Sequence, residues 1–151
     1  MYDTLAQGYE ELYGEEQRKK LEKVAFVLKG RILDIGAGTG IVARHFPHVV
    51  SLDPSLEMLK QAPGEKVLGV AEHLPFKANS FDTVVSLTAL HHTDIDQVIG
   101  ELKRLQAPNM AFSILKKSKK CEEIVSKLKE AFGMEVFEEE KDILLIKEIK
   151  H

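Results

Sequence analysis

A glycine turn between two apolar segments constrains this chain more than any other feature. Ile32, Leu33 and Ile35 lie in an apolar run that ends at Gly36–Gly40, and the residues after Gly40 can continue as a helix. This pattern predicts a strand, a turn and a helix start. Glycines at alternate positions allow positive φ and remove each Cβ that would keep a ligand away from the backbone. The turn is therefore predicted to lie against a bound molecule.

The spacing of the glycines and a nearby charge narrow the class of ligand. A dinucleotide fingerprint reads G-x-G-x-x-G and places a pyrophosphate on the helix N-terminus. Here the third glycine comes one position early, at Gly40, and Ile41 stands where that fingerprint has glycine. Asp34, two residues before the first glycine, would repel a pyrophosphate and attract an ammonium group. A dinucleotide oxidoreductase is thus disfavoured, and a positively charged group is predicted near Asp34.

The segment Leu33–Gly40 resembles the first motif of the class I S-adenosylmethionine-dependent methyltransferases. In that family the turn wraps the methionine part of the cofactor, and an acid at the end of the second strand holds the ribose hydroxyls. Asp53 is placed for that role. It ends the run 49–52 and lies 17 positions after Gly36, close to the spacing of about 20 residues expected for a ribose-binding acid.

The resemblance implies S-adenosylmethionine as the cofactor and assigns its contacts. Asp34 is expected to orient the ammonium group, Asp53 the ribose, and Leu87 to form an apolar flank. The backbone of the glycine turn is expected to hold the carboxylate of the cofactor. The remaining expected contacts are Gly36, Ala37, Gly38, Gly40 and Pro54.

The segment after the third predicted strand departs from the family pattern at one position. Ala71–Phe76 resembles a motif that usually reads Gly-Asp-Ala-Glu-x-Leu-Pro-Phe, and Val70 replaces its aspartate, which commonly accepts a hydrogen bond from the adenine amino group. The backbone N–H of Ala71 is left for an adenine ring nitrogen. Glu72 either substitutes for the aspartate or is an exposed glutamate. Met58 either packs in the core or contacts the adenine.

Residues 1–30 carry two helical patterns and are predicted to lie outside the sheet. The segment Tyr2–Tyr9 resembles the N-terminal lid of the UbiE-like methyltransferases of quinone biosynthesis. Tyr9 is accordingly either a packing residue or part of a lid over the cofactor. A tyrosine ring over a sulfonium is favoured by cation–π attraction.

Two adjacent histidines follow the fourth predicted strand. The exit Thr88–Asp94 resembles the family's Leu-His-His segment. The ligand crevice of an open α/β sheet lies at the carboxyl ends of its strands, where the strand order reverses. His91 and His92 are therefore candidate catalytic residues, since histidine is the usual proton carrier near neutral pH. In the alternative reading, one histidine caps or packs and the other is solvated.

Composition limits the class of protein. The 151 residues predict a single methyltransferase domain, with 1–30 as the N-terminal segment and 31–151 as the cofactor-binding core. The net charge of −3 provides no overall basic field for nucleic acid or anionic lipid. Cys121 is the only cysteine, no zinc-ligand spacing occurs, and neither a signal pattern nor a membrane-spanning run is present. We expect a cytoplasmic protein that uses no metal and contacts no membrane.

Strand patterns alternate with helices along the chain. Strands are predicted at 31–35, 48–53, 66–70, 81–87, 110–115, 134–137 and 143–149. The last two have so short a connection that they must be antiparallel. We therefore predict an α/β fold with a Rossmann-like, doubly wound, mostly parallel sheet, for which the resemblance implies the order 3-2-1-4-5-7-6.

Two functions fit these features. The resemblance implies methyl transfer from S-adenosylmethionine to a small-molecule or RNA acceptor. The basic cluster Lys116–Lys120 would be the anchor for an anionic metabolite or RNA, or else a solvated loop. The alternative is a non-catalytic S-adenosylmethionine-binding module that acts with a partner. A small activator protein pairing beside strand 66–70, or a homodimer, is the expected kind of partner.

Overall fold

The computed structural model describes residues 14–149. The predicted lid tyrosine, Tyr9, lies outside the described residues. The described chain forms one seven-stranded sheet. Its strands are β1 Ile32–Ile35, β2 Val49–Asp53, β3 Glu65–Leu68, β4 Thr83–Leu87, β5 Asn109–Leu115, β6 Glu135–Glu138 and β7 Asp142–Lys147.

Helices connect most of these strands. Helix α1 covers the described residues 14–24 and continues as a 3-10 turn, Ala25–Val27. The helices that follow are α2 Ile41–His45, α3 Leu56–Leu59, α4 Ile95–Leu105 and α5 Cys121–Phe132. A second 3-10 turn, Leu90–His92, lies between β4 and α4.

The strand order is β3-β2-β1-β4-β5-β7-β6, which confirms the predicted order. Strands β1 to β5 are parallel to one another, whereas β7 is antiparallel to both β5 and β6. The order reverses between β2 and β4, with β1 in the middle. The carboxyl ends of β1 and β4 therefore lie side by side, which is where an open α/β sheet binds its ligand.

Both faces of the central strands are buried, because the sheet is covered on each side. On one face, Leu33, Val50 and Val84 pack against the apolar stripes of α4 and α5. On the other face, Ile32 and Val85 pack with Leu21, Val24, Val27 and Leu28 from α1 and the turn after it. Near-continuous apolar runs such as 49–52 are expected for strands buried on both faces.

Local signals in the sequence mark the start of α4 and the end of α5. Asp94 caps α4, its Oδ1 accepting the backbone N–H groups of Asp96 and Gln97 at 3.1 and 3.4 Å. Gly133, at φ 62°, closes α5. The buried side chain of Cys121 is part of the core.

The third strand is displaced from its predicted position. It ends at Leu68, and Val70 forms only an isolated bridge with His73. The predicted strand 66–70 is therefore wrong by one to two residues at its ends. Differences of the same size occur at β4, predicted at 81–87 and observed at Thr83–Leu87, and at β7, predicted at 143–149 and observed at Asp142–Lys147. Strand ends are the part of an element that a local pattern predicts least well.

Within the residues that the structure describes, no helix is long and apolar enough to span a membrane.

Replacing Gly40 by alanine tests how closely the glycine turn packs. Gly40 has φ 85°, and an added Cβ would lie 2.7 Å from the Ala62 Cβ and 3.0 Å from its Cα. We expect a loss in the free energy of unfolding of roughly 1–2 kcal/mol from φ and a further 1–3 kcal/mol from overpacking. Urea denaturation measures both.

The matched control is Gly64→Ala. Gly64 also has a positive φ, 76°, but an added Cβ there meets nothing within 4 Å. It should lose only the backbone part, roughly 1–2 kcal/mol. Equal losses in the two variants would show that the contact with Ala62 relaxes freely.

Candidate functional site

Two positions of the turn need glycine for different reasons, one for close packing and one for an open backbone surface. Gly36, Gly38 and Gly40 all have positive φ, at 72°, 58° and 85°. An added Cβ at Gly36 would overlap the Ala89 methyl group, whereas one at Gly38 meets nothing within 4 Å. Gly36 therefore lets the segment after β4 pack against the turn, and Gly38 presents bare backbone to open space.

The Asp53 carboxylate joins this turn to the start of α3. Its Oδ2 accepts the Gly38 backbone N–H and its Oδ1 accepts the Ser55 N–H, both at 2.9 Å. The residue is 8% exposed. An ionised carboxylate has about four acceptor positions, so two remain. Asp53 thus organises the loop and can still accept hydrogen bonds from a ligand.

The amides of the turn are largely used inside the protein. Gly36 and Ala37 both donate to the Leu52 carbonyl at 2.8 and 3.0 Å, and Gly40 donates to the Ala37 carbonyl at 3.0 Å. Together with the bond from Gly38 to Asp53, these bonds engage the N–H group of each turn residue that we predicted at the cofactor. Their contact with a ligand is therefore through van der Waals surface, and a ligand carboxylate would need other donors.

Asp34 lies at the end of β1, buried between two neighbouring strands. Its register partners are Ser51 on β2 and Val85 on β4. Burial, and then the negative charge of Asp53, raise the pKa of Asp34 from 3.8 to about 8. Ser51 is fully buried too, and its Oγ has no hydrogen-bond partner within residues 14–149. A cationic group nearby would favour the ionised form of Asp34.

Apolar side chains are exposed beside Asp53. Met58, Leu68 and Val70 are 40%, 58% and 41% exposed. The reading of Met58 as a core residue is therefore wrong, because its position on the short helix α3 leaves it at the surface. Its contact with an adenine ring stays a prediction.

The remaining predicted contacts are placed as follows. Ala71 and Leu87 are buried. The Oε2 atom of Glu72 accepts the Asp94 backbone N–H at 3.2 Å, which holds this side chain at the start of α4. Pro54 directly follows Asp53, between β2 and α3. Their roles toward a cofactor stay predictions.

Thr88 is a site residue that the sequence did not reveal. It directly follows β4 and has φ 54°, an outlying conformation for a β-branched residue. Its N–H donates to the carbonyl and to the hydroxyl of Ser113, both at 3.0 Å. Its own hydroxyl accepts from Gln17 Nε2 at 3.3 Å and from Lys20 Nζ at 3.5 Å. Backbone strain of this kind clusters at functional sites, and no motif predicts it.

The two predicted histidines are close together but differently placed. Their ring centroids are 3.9 Å apart, with His91 half-buried and His92 exposed. Nδ1 of His91 is buried and has no hydrogen-bond partner among the described atoms. Burial, followed by the charges of His92 and Lys120, lowers the pKa of His91 below its ordinary 6.5. His91 is therefore neutral at pH 7 and able to accept a proton.

A cleft of about 770 Å³ opens beside Thr88 and His91. Helix α1 forms one wall, the residues after β5 another, and the β6–β7 turn a third. This volume lies in the range of roughly 300–1,000 Å³ typical of small-molecule sites. In the part of the chain described, no group of three or more acidic, histidine or cysteine side chains could hold a metal ion.

Comparison with known proteins adds sequence relatives. Residues 33–114 match a family model described as a methyltransferase domain. The ubiquinone/menaquinone biosynthesis C-methyltransferase UbiE of Hahella chejuensis is 28% identical over 88% of this chain and 60% of its own length. A demethylmenaquinone methyltransferase of Thermotoga maritima is 30% identical over 70% of this chain and 55% of its own length. The chain thus spans little more than half of these relatives.

A solved structure has the same fold over nearly the whole chain. It is a Thermotoga maritima protein described as a SAM-dependent methyltransferase, possible histamine N-methyltransferase. The two share 19% identity with a TM-score of 0.75, and the match covers 99% of this chain and 98% of the other. At this identity the likeness establishes the fold alone.

The substitution Asp34→Asn should change how the free energy of unfolding depends on pH. In the folded protein Asp34 keeps a proton up to about pH 8, whereas its ordinary value of 3.8 applies when the chain unfolds. The folded state binds the extra proton in this window, so Asp34 makes stability fall as pH rises, by about 1.4 kcal/mol per pH unit. Asp34→Asn lacks this loss.

Urea denaturation of both proteins at pH 5, 6.5 and 8 measures the difference, in which the other titrating groups cancel. The stability of Asp34→Asn relative to the wild type should increase at each step. A difference that is constant with pH would contradict a buried, protonated Asp34.

Proposed function

Since this chain belongs to the methyltransferase-domain family, in the UbiE-like group of class I S-adenosylmethionine-dependent methyltransferases, we propose that it transfers a methyl group from S-adenosylmethionine to an acceptor in the cleft beside Thr88 and His91. The observation that carries the proposal is the Asp53 carboxylate, which accepts the Gly38 N–H and so fixes the glycine turn. Gly36 of that turn packs against Ala89, the residue after Thr88, which lines the cleft. The activity is a proposal because the match covers only 60% and 55% of the length of the two methyltransferase relatives.

The residues at the strand ends fit S-adenosylmethionine chemically. Gly38 offers a surface without a side chain, next to a carboxylate with free acceptor positions for ribose hydroxyls. Asp34 is a buried acid that a ligand ammonium group would stabilise in its ionised form. Met58 and Val70 supply exposed apolar surface for a purine ring. We assign these five residues, Asp53 included, to the cofactor on that ground.

When bound, S-adenosylmethionine supplies a methyl group that its sulfonium already activates. The protein's main task is then alignment, which contributes roughly 7–11 kcal/mol in well-oriented reactions. Asp53 is rigidly placed for this task because two backbone N–H groups hold its oxygens. Leu87, buried at the end of β4, would exclude water on the apolar side.

His91 is our candidate for the group that accepts a proton from the acceptor. It lines the cleft, and its lowered pKa keeps it neutral at pH 7. His92 is exposed and does not line the cleft. We therefore assign the proton-accepting role to His91 alone, although both histidines were candidates.

A partner chain beside β3 also stays a proposal. This strand forms one edge of the sheet, and Leu68 and Val70 at its end are exposed. Adding a strand to such an edge is a common mode of association.

Asp53→Asn should lose cofactor affinity while keeping the fold. The amide keeps one acceptor oxygen and has an NH2 donor in place of the other, so one of the two backbone bonds and half of the acceptor positions are lost. We expect S-adenosylmethionine to bind at least about tenfold more weakly, which corresponds to about 1.4 kcal/mol or more. Isothermal titration calorimetry measures it. Asp94→Asn is the matched control, because Asp94 also holds two backbone N–H groups with its carboxylate but lies at a helix cap. Equal affinity in Asp53→Asn and wild type would sink the assignment.

His91→Gln should lower methyl transfer about a hundredfold, the lower end of what a general base contributes. The assay follows a labelled methyl group from S-adenosylmethionine into fractions of source-cell extract. His92→Gln should stay near the wild-type rate. The wild-type rate should fall as pH drops below the pKa of His91, since the protonated ring cannot accept a proton. Measurable cofactor binding with no label in any fraction would instead support a non-catalytic binding module.

A further inference from the structure

The floor of the cleft contains an ammonium group that is only loosely satisfied. Lys20 Nζ lies 3.4 Å from Asp142 Oδ1, and these side chains are 15% and 8% exposed. Asp142 Oδ1 has no partner with hydrogen-bond geometry among residues 14–149. The bond from Lys20 to the Thr88 hydroxyl is long, at 3.5 Å. A lysine ammonium has three donors, and burying it without short hydrogen bonds is costly.

Thr88 adds a second donor at the same place. Its hydroxyl oxygen accepts from both Gln17 and Lys20, so the hydroxyl proton is directed to another acceptor. The outlying φ of Thr88, with its N–H fixed by Ser113, holds this group at the cleft. Two donors without good acceptors thus converge at the end of β4.

The rim of the cleft carries unpaired positive charge as well. Lys23, Lys116 and Lys141 each form an ion pair, with Glu139, Glu138 and Glu16 in turn. Lys19 and Lys117, which also line the cleft, form no ion pair within the described part of the chain. Six lysines and four carboxylates line the cleft. Three of these carboxylates are ion-paired and Glu140 is not, within the described residues, so two unpaired lysines face one unpaired carboxylate. The cleft therefore attracts an anion although the chain is net negative.

We infer that the cleft binds a small anionic molecule, whose carboxylate or phosphate is held by Lys20 and the Thr88 hydroxyl, with Lys19 and Lys117 at the rim. That this molecule is the methyl acceptor rests on the proposed function. A polyanion such as RNA fits less well, because the chain has a net charge of −3 and so no overall basic field to attract a phosphate backbone. The volume of about 770 Å³ also suits a small molecule.

Titrating inorganic phosphate, and separately acetate, into ¹⁵N-labelled protein tests the inference. Ionic strength is held constant with chloride, and the Thr88 and His91 amide signals are followed by NMR. We expect saturable shifts with at least one of the two anions, and the one that binds tighter identifies the preferred group. The absence of saturable shifts at these two residues with both anions would overturn the inference.

Two surface variants make the test specific. Lys19→Gln combined with Lys117→Gln should weaken anion binding about tenfold, whereas Lys119→Gln should leave it unchanged. Lys119 is exposed in the same basic segment as Lys117 but does not line the cleft. Equal weakening in both proteins would mean a diffuse charge effect and would overturn a defined site. None of these lysines is assigned to the cofactor, so both variants should bind S-adenosylmethionine with wild-type affinity. A failure of anion binding can therefore be distinguished from a failure of the proposed function.

The chemistry of the methylated product gives an independent check. Labelled product from extract should bind an anion-exchange resin and pass through a cation-exchange resin. Label in the RNA pool, or in a cationic or neutral product, would overturn the inference while leaving methyl transfer established.

Discussion

The Asp53 carboxylate holds two backbone N–H groups, and the rest of the site depends on that arrangement. One bond fixes Gly38 in the turn after β1 and the other fixes Ser55 at the start of α3. Three glycines of the turn have positive φ, a conformation that gives the turn little stability of its own. A nearly buried, charge-assisted acceptor compensates for this, since hydrogen bonds to charged groups contribute about 1.5–3 kcal/mol. The open surface at Gly38 is thus held by a residue from the neighbouring strand.

Polar groups concentrate at the carboxyl ends of β1, β4 and β5, where parallel strands end together. Asp34 is buried there with a raised pKa, and Thr88 is held in an outlying conformation by Ser113. Each of these features costs stability, and the apolar core on both faces of the sheet offsets that cost. The groups that cost the fold stability therefore lie where a cofactor and an acceptor would meet. Binding of a cation near Asp34 and of an anion near Lys20 would offset part of the cost of burying these two groups.

Much of the fold was predictable because periodicity and punctuation agree along the chain. The buried runs of β1, β2, β4 and β5 and the caps at Asp94 and Gly133 all appear where the patterns indicate. The predicted bounds differ from the observed ones by up to two residues at β3, β4 and β7, and the apolar Met58 is exposed. Apolar character alone does not distinguish a core residue from one at an open binding surface. The first is apolar because it packs inside the protein, and the second because it contacts a ligand or a partner.

The amino-acid sequence was enough to predict the strand-turn-helix unit, the alternation of strands and helices, the two acids at strand ends and the candidate histidines. The strands, the helices and the turn follow from local periodicity, glycine conformation and spacing, which depend on near neighbours in the chain. The roles of Asp53 and of the histidines follow from the resemblance of their segments to the methyltransferase family. Tertiary structure alone decided that Thr88 has a positive φ, that Lys20 meets Asp142, and that His91 rather than His92 lines the cleft. Lys20 and Asp142 are far apart in the sequence. Their contact arises only because α1 packs over the sheet next to β7, and no local pattern encodes how a sheet brings distant side chains together.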